Sequence, residues 1–441
     1  MNKICKDEFA REGKTVANKL REETVQTNRE SIRWLYRPGI SCVDCSLTLI
    51  GLCLYTLVVV TYNLNIAWFG IVLGIIGLLF GRGRVQVPLP IWVYVLFLIW
   101  AFLCSFKSQF QNVALGEVIE QSKLLVIMLI TINALKSEGQ LRFYLLFFLF
   151  CFVITPVRSA LVNYVSGYTL FGRAIAGSIY ANPNYLAALS LIALGVSLGV
   201  QMTKSAQTSL RIGAWFSSAL LLVTILLTQS RGAFLGLVVA MGPAFLRFIF
   251  KRKGFLVWAV IALFVIWFAV PVHVWDRLSG IKKLTSVSTI GEADPEGSAA
   301  ERFEIQKAAW RIFLDHPVFG VGLGVYGLAN ARYAPHIGYR DTHNTYLKLA
   351  AEVGMIGLVL WCVFVGSTLF YASRMRRRAH ETDLASQQYW MEAGFIGYLV
   401  AGIFSSFSTI AFPYLIIAAL WCSGNLLEYL SERGPQKSNR F

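Results

Sequence analysis

The sequence predicts an all-α, polytopic membrane protein with about 12 transmembrane helices and one large periplasmic loop that contains a helix. Composition is the first reason: of the 441 residues, 56% are hydrophobic and 15% are charged, whereas soluble domains average about 25% charged residues. The apolar residues also come in runs of roughly 17–25, each long enough to cross about 30 Å of hydrocarbon as a helix. Alternating segments of strand length, which would indicate a membrane barrel, are absent from the sequence.

The apolar runs and the segments between them divide the chain into five parts. A cytoplasmic tail, residues 1–45, is followed by transmembrane helices 1–9 in residues 46–272. The large periplasmic loop occupies residues 273–344, helices 10–12 occupy residues 345–430, and residues 431–441 form a second cytoplasmic tail. The predicted spans lie near residues 47–63, 65–80, 87–105, 122–136, 141–162, 184–202, 211–228, 232–250, 255–272, 345–371, 390–408 and 412–428.

The distribution of charge predicts the orientation. The short connections on one side of the membrane hold about 14 Lys or Arg and those on the other side about 5, which is the asymmetry expected between a cytoplasmic and an outer face. Both termini are then cytoplasmic. The net charge of +16 is spread over many loops rather than gathered on one surface, so the lipid bilayer and not nucleic acid is the predicted surrounding.

The cysteines and histidines do not predict a metal site. Cys42 and Cys45 form a single C-x-x-C pair before the first span, and without further ligands we expect reduced thiols. The five histidines show no H-E-x-x-H pattern, so no metal is predicted. Five cysteines inside or at the edge of apolar runs are predicted to be small hydrophobic core residues: Cys53, Cys104, Cys151, Cys362 and Cys422.

The large loop contains a predicted amphipathic helix in the stretch SAAERFEIQKAAWRIFLDHP. Ser298 can cap this helix, Glu301 completes an S-x-x-E box, and Pro317 stops it. We expect the helix to lie along the membrane face and to roof a cavity, after an irregular first part of the loop. The apolar residues at helical spacing are Phe303, Ile305, Ala309, Trp310, Phe313 and Leu314.

The same loop contains Gly322, Gly324 and Gly327 in the pattern G-x-G-x-x-G. A dinucleotide-binding fingerprint requires a preceding strand within a βαβ unit, whereas these glycines follow a predicted helix and a proline. We therefore expect a turn at which backbone approaches backbone closely, and not a nucleotide site.

Arginines at the outer ends of apolar runs are candidate site residues, because Arg near the bilayer centre costs roughly 2.5–3.5 kcal/mol on insertion scales. Arg231 lies in TQSRG, a hairpin tip between two apolar runs. It is either a snorkelling residue at a helix end or a guanidinium that grips phosphate in a cavity. Arg173 lies in the irregular stretch YTLFGRAIAGSIYANPNYLAA, and Arg158 lies near the same outer loop. Each of these two is either a loop charge or a site residue.

His343 stands where a polar segment enters an apolar helix, in HNTYLKLAAEVG. Thr342 or Asn344 can cap this helix, whereas an imidazole has no capping role. A helix N-terminus favours the neutral imidazole, which can act as a general base; a structural histidine is the alternative. Lys348 and Glu352, four residues apart, are expected to pair with each other.

Two cationic anchors and a base at the outer leaflet suit a phosphate-bearing lipid substrate. At these residues the chain resembles the O-antigen ligase and polymerase superfamily of bacterial inner-membrane glycosyltransferases. The similarity runs from about residue 165 to 365 and keeps the family's order of motifs. The four segments that carry it are GSIYANPNYLAA, LLTQSRGAFLGL, ERFEIQKAAWRIFLDHPVFGVGLGVYG and HNTYLKLAAEVGMIGL.

The resemblance implies a metal-independent, inverting glycosyltransferase without a cofactor, located in the bacterial inner (cytoplasmic) membrane. It implies transfer of a glycan from undecaprenyl diphosphate to a hydroxyl of lipid A–core, or of another glycan acceptor, on the periplasmic face. By resemblance, His343 activates the acceptor hydroxyl, and Arg231 and Arg173 hold the diphosphate. The other implied site residues are Arg158 or Arg302, as alternatives to Arg173, and Asn344 and Asn184 as supporting residues.

Three functions remain open within these expectations. A ligase is favoured because polymerases often carry two substantial periplasmic loops, whereas here the 158–183 loop is short and only 273–344 is long. The polar tail departs from the compact ligase pattern, which keeps a polymerase, or a ligase for protein or another surface polymer, as an alternative. A small-anion transporter is the third, although the irregular segments gather in the middle of the chain rather than in paired inverted halves.

Overall fold

Helices form at the positions where the sequence has long apolar runs. The computed structural model describes residues 46–61, 66–81, 85–251, 298–379 and 382–432. Some predictions concern residues outside these ranges: the tail 1–45 with Cys42 and Cys45, the span at 255–272, the irregular first part of the large loop, and the end of the second tail.

The first half of the chain contains α1 (Leu47–Thr61), α2 (Ala67–Phe80), α3 (Leu89–Ser105), α4 (Gln111–Ala134), α5 (Glu138–Phe152), α6 (Arg158–Val165), α7 (Pro183–Met202), α8 (Thr208–Leu227) and α9 (Arg231–Lys251). A π-helical turn, Val153–Val157, joins α5 to α6, and a 3-10 turn, Ser178–Ala181, precedes α7. The second half contains α10 (Ser298–Asp315), α11 (Tyr326–Tyr333), α12 (Thr345–Arg378), α13 (Asp383–Ala401) and α14 (Ala411–Glu432). The described residues contain no β-strand, so the all-α prediction is confirmed for them.

Several of these helices can cross a membrane by length and composition. Within the described ranges, five segments meet this requirement in full: the continuous stretch Glu138–Val165, and α7, α8, α12 and α14. Shorter apolar helices are α1, α2, α3 and Arg231–Pro243 of α9. The described residues therefore have the all-helical architecture of a multi-pass membrane protein. The count of twelve crossings, the side of the large loop and the side of the termini stay predictions.

The structure corrects three expectations about these helices. The predicted fourth span, 122–136, is part of a longer helix that begins at Gln111, because its first turns are too polar to register as an apolar run. The predicted span 390–408 ends too late: α13 stops at Ala401, and residues 402–410, here called the α13–α14 loop, are irregular although apolar. Cys362 is exposed on α12 rather than a core residue, whereas Cys104, Cys151 and Cys422 are buried as expected and Cys53 is partly buried.

Close contacts between glycines bring α7, α9 and α13 together. A Cβ atom on Gly195 of α7 would lie 2.4 Å from the carbonyl oxygen of Trp390 in α13. A Cβ atom on Gly236 of α9 would lie 2.4 Å from the carbonyl oxygen of Gly397 in α13. Small residues allow helix backbones to approach in this way in lipid. The contacts orient the three helices so that α7 and α9 begin at the end of the bundle where α13 stops.

The helix α12 is broken at Gly354, which has φ +68° and ψ −173°. Another part of the chain and one indole replace the hydrogen bonds that the break removes, as is required of irregular backbone in a membrane protein. The predicted close approach of the glycine-rich turn to other backbone is thereby confirmed. The replacing bonds are Val321 N to Ala351 O (2.9 Å), Gly322 N to Glu352 O (2.8 Å), Met355 N to Pro317 O (2.8 Å) and Trp100 Nε1 to Val353 O (2.9 Å).

The helix predicted in the large loop is confirmed as α10, which ends before Pro317. Its buried face, with Ile305, Ala309 and Ile312, packs against α11 and α12. Three residues of the predicted apolar face are instead exposed: Phe303, Trp310 and Leu314. The described part of the protein therefore covers only part of that face. The short helix α11 was not predicted.

Candidate functional site

His343 lies immediately before α12, in a backbone turn that the cap of this helix fixes. Asn344 is the cap: its Oδ1 accepts hydrogen bonds from Tyr346 N and Leu347 N, each at 3.0 Å. His343 has φ +52°, a left-handed conformation that is uncommon for residues other than glycine. In the structure, Asn344 therefore caps the helix that follows His343. Its predicted supporting role in the site stays a prediction.

The threonines on both sides of His343 are bonded to the α13–α14 loop. Both threonines are buried, and His343 between them is half-buried. The backbone that carries the imidazole is therefore held at two points. The contacts are Thr345 N to Gly402 O (2.8 Å), Thr345 Oγ1 to Ser405 O (2.7 Å), Phe407 N to Thr345 Oγ1 (2.9 Å) and Thr342 Oγ1 to Ser406 Oγ (2.8 Å).

The same loop contacts the segments of Arg231 and Asn184. Arg231 is the first residue of α9, and a Cβ atom on the next residue, Gly232, would lie 2.8 Å from the Phe404 side chain. The ring of Tyr185, at the start of α7, meets the ring of Phe407 edge to face with centroids 5.3 Å apart. The α13–α14 loop therefore joins three segments that the sequence singled out separately.

Arg173 links two of these segments from the side. Its side chain is only 7% exposed. Its Nε donates to Thr228 O at 2.7 Å, and its Nη2 donates to Asn184 Oδ1 at 2.8 Å. Thr228 stands three residues before Arg231, and Asn184 lies in the first turn of α7. Arg173 thus holds the Arg231 turn against α7, and the observed partner of Asn184 is this guanidinium.

The substitution Arg173→Lys is expected to lower the stability of the protein by about 2 kcal/mol. An ammonium keeps the charge but cannot reproduce the planar fork, so a buried carbonyl or amide oxygen loses its charged donor. The measurement is the thermal unfolding transition in detergent, with Arg158→Lys on the exposed surface of α6 as the matched control. An unchanged transition in Arg173→Lys would contradict the structural role of this guanidinium.

The two alternatives to Arg173 differ in their positions. Arg302 of α10 is half-buried, and its positive charge acts on His343. Arg158 begins α6 and is exposed, and its side chain has no hydrogen bond or ion pair with any other residue that the structure describes. The structure brings Arg302, and not Arg158, together with His343.

The surroundings of His343 favour its neutral form. Burial lowers the pKa of His343 below its ordinary value, and the positive charges of Arg302 and Arg340 lower it further. The carboxylates of Asp341 and Glu301 oppose this shift but do not reverse it. An imidazole with a lowered pKa is unprotonated at neutral pH and can accept a proton.

The sequence prediction for Lys348 is confirmed in part: Glu352 acts on Lys348 electrostatically, but the close ion pair of Lys348 is formed with another residue. Lys348 Nζ pairs with Asp341 Oδ1 at 3.2 Å rather than with Glu352, whose Oε1 accepts a hydrogen bond from Tyr326 N at 3.3 Å. The turn at His343 brings Asp341 back towards the first turns of α12, and a rule based on helical spacing cannot detect this contact. Asp341 and Lys348 are therefore additional residues of the site.

Strained backbone is concentrated in the same segments. Non-glycine residues with positive φ cost about 1–3 kcal/mol each and cluster at functional sites. Every such residue in the described part of the chain lies in the segment of Arg173, of Arg231 or of His343. They are Phe171, Ser178, Gln229 and His343.

The chain is similar to a known protein family and to a known protein. A family model described as O-antigen ligase matches residues 216–362, a range that contains Arg231, Arg302 and His343. An O-antigen polymerase of Salmonella muenchen is 27% identical over 267 residues, which cover 59% of this chain and 63% of the relative. The chain thus matches less than two thirds of that relative's length. Both matches agree with the resemblance to the O-antigen ligase and polymerase superfamily.

Proposed function

We propose that the chain is a glycosyltransferase that moves a glycan from undecaprenyl diphosphate to a hydroxyl acceptor, and that it is an O-antigen ligase whose acceptor is lipid A–core. The main support for this proposal is that the segments of His343, Arg231 and Arg173 lie together around the α13–α14 loop. A neutral imidazole close to guanidinium groups suits a hydroxyl that attacks a carbon bonded to an anionic leaving group.

In this reaction His343 takes the proton of the acceptor hydroxyl while the hydroxyl oxygen bonds to the anomeric carbon of the glycan. The bond from that carbon to the diphosphate oxygen breaks, and its electron pair leaves with undecaprenyl diphosphate. Attack from the opposite side inverts the anomeric configuration. Arg231 and Arg302 offset the charge that grows on the diphosphate, and Arg173 adds positive charge while it holds the Arg231 turn.

A polymerase is the second candidate, and the match to the Salmonella muenchen polymerase favours it. The acceptor would then be a second lipid-linked glycan instead of lipid A–core. The base and the leaving group are the same in both reactions, so the two candidates differ in the acceptor alone. Both matches are named as O-antigen enzymes, which gives no support to transport of a small anion.

Product analysis with the purified protein tests the proposal. The protein in detergent receives undecaprenyl-diphosphate glycan together with lipid A–core, and the products are separated on a gel. Glycan attached to lipid A–core identifies a ligase, and a longer lipid-linked glycan identifies a polymerase. Protein that is folded by its thermal transition and yields neither product would overturn the proposal.

A further inference from the structure

The side chain of Lys348 reaches across the turn that contains His343. It lies in the first turns of α12, its side chain is only 18% exposed, and its Nζ is 3.2 Å from Asp341 Oδ1. The same carboxylate oxygen accepts a hydrogen bond from Thr342 N at 2.9 Å. The ion pair therefore connects α12 to the two residues that precede the imidazole, and it closes a short loop of chain around His343.

The side chain of Lys348 does not extend to water, although a lysine at this position could do so. Its long side chain could extend to the aqueous boundary, as lysines near helix ends commonly do. Instead it is held among polar groups of the site, with Asp341 as its ion-pair partner and with Glu352 and Tyr185 as electrostatic neighbours. Burial of an ammonium group costs desolvation free energy, and the attraction of a nearby carboxylate offsets that cost. The pairing with Asp341 is therefore a specific feature of this turn.

Among the residues that the structure describes, the charges that act on His343 form two ion pairs and one further cation. On α10, Glu301 pairs with Arg340 at 3.0 Å, and Asp341 pairs with Lys348. Arg302 of α10 adds positive charge. The α13–α14 loop, which packs against both threonines beside His343, carries no charged residue. Each of the two described carboxylates that favour the imidazolium form, Glu301 and Asp341, thus has its own cation.

We propose that Lys348 is a positioning residue for His343: its ammonium holds and offsets the Asp341 carboxylate, so that the imidazole is neutral when the acceptor hydroxyl arrives. This inference rests on the proposed function for the role of the imidazole as a base. It assigns to Lys348 no contact with the substrate. Loss of the ammonium leaves a carboxylate without its cation near the imidazole, which stabilises the protonated form.

The test measures the protonation of His343 directly. Diethyl pyrocarbonate modifies neutral but not protonated imidazole, so its rate at His343, followed by peptide mass spectrometry across pH, reports the neutral fraction without any need for activity. The midpoint is the pH at which the modification rate of His343 is half its maximum. Lys348→Met is expected to move this midpoint to higher pH by about one unit. Asp341→Asn is expected to move it to lower pH, the double variant to restore it, and Lys348→Arg to leave it near the wild-type value.

Opposite shifts in the two single variants distinguish a charge effect from general damage to the fold. The exposed His336 serves as the internal control for reagent access and folding, because its rate of modification at a given pH should be the same in all variants. A midpoint of His343 that is unchanged or lower in Lys348→Met would overturn the inference. If that variant does not fold, an unchanged or higher midpoint in Asp341→Asn overturns it.

Glycan transfer by the same variants separates this inference from the proposed function. If both hold, the acid limb of kcat/KM shifts together with the midpoint of His343. A second outcome is that transfer depends on His343 but kcat/KM of Lys348→Met falls at the same low pH as that of the wild type. In that case the inference about Lys348 fails and the proposed function stands. If His343→Ala transfers glycan as well as the wild type, the proposed role of the base fails, whatever the chemical modification shows.

Discussion

Replacement of His343 by alanine is expected to slow glycan transfer by about 10²–10⁴-fold, the usual contribution of a positioned general base. The physical reason is that alanine leaves no group to take the proton of the acceptor hydroxyl, while the threonines on both sides still hold the backbone turn. The binding of the donor should change little, because the arginines remain. The measurement is the initial rate of transfer at saturating donor and acceptor.

His336→Ala is the matched control for this experiment. His336 lies in the same loop of the chain, a few residues earlier, and its side chain is exposed. We expect its transfer rate and thermal transition to equal those of the wild type. A rate of His343→Ala within about tenfold of the wild-type rate, in folded protein, would show that this imidazole is not the base.

Substitution of Gly354 by alanine is expected to destabilise the protein by at least about 2–3 kcal/mol. Its backbone lies in a region that only glycine adopts easily, and a Cβ atom there would meet the carbonyl oxygen of Val318 at a distance of 1.9 Å. The segment after α10 would have to move away, which would break the hydrogen bonds that replace those of the interrupted helix. The measurement is the apparent unfolding temperature in detergent.

Gly366→Ala provides the control on the same helix. A Cβ atom on Gly366 would have no neighbour within 4 Å, and alanine is favoured over glycine in a helix by roughly 0.5–1 kcal/mol. Its unfolding temperature should therefore equal or slightly exceed that of the wild type. Equal behaviour of the two variants would contradict the break in α12 and the packing of the loop segment against it.

Local rules predict those parts of the structure that depend on local sequence. The lengths of the apolar runs predict most helices, Pro317 predicts the end of α10, and Thr342 or Asn344 is predicted to cap α12, where the structure has Asn344. Each of these features depends on neighbours within about four residues along the chain. The composition of one segment is then sufficient to predict it.

The site depends on contacts between distant segments, and the sequence predicts these less well. The α13–α14 loop was taken for the end of a span because Ile403, Phe404 and Phe407 are as apolar as the residues of a membrane helix. The break at Gly354 was missed because a kinked and a straight helix have the same hydropathy. The partner of Lys348 was missed because the rule for helical pairs considers α12 alone. Resemblance to a family pointed to His343 and Arg231, but not to the loop that joins their segments.

We propose that a neutral His343 accepts the proton of the acceptor hydroxyl, and we would test this first by the dependence of kcat/KM on pH for the wild type and His343→Ala. Burial and Arg302 lower the pKa of His343, so the active form is complete at neutral pH and is lost only as pH falls through that lowered value. We predict that kcat/KM of the wild type is constant above about pH 6.5, the ordinary histidine value, and falls with unit slope at a lower pH. His343→Ala should be slow and should lack this fall. A wild-type profile without the fall, or the same fall in His343→Ala, would contradict the account.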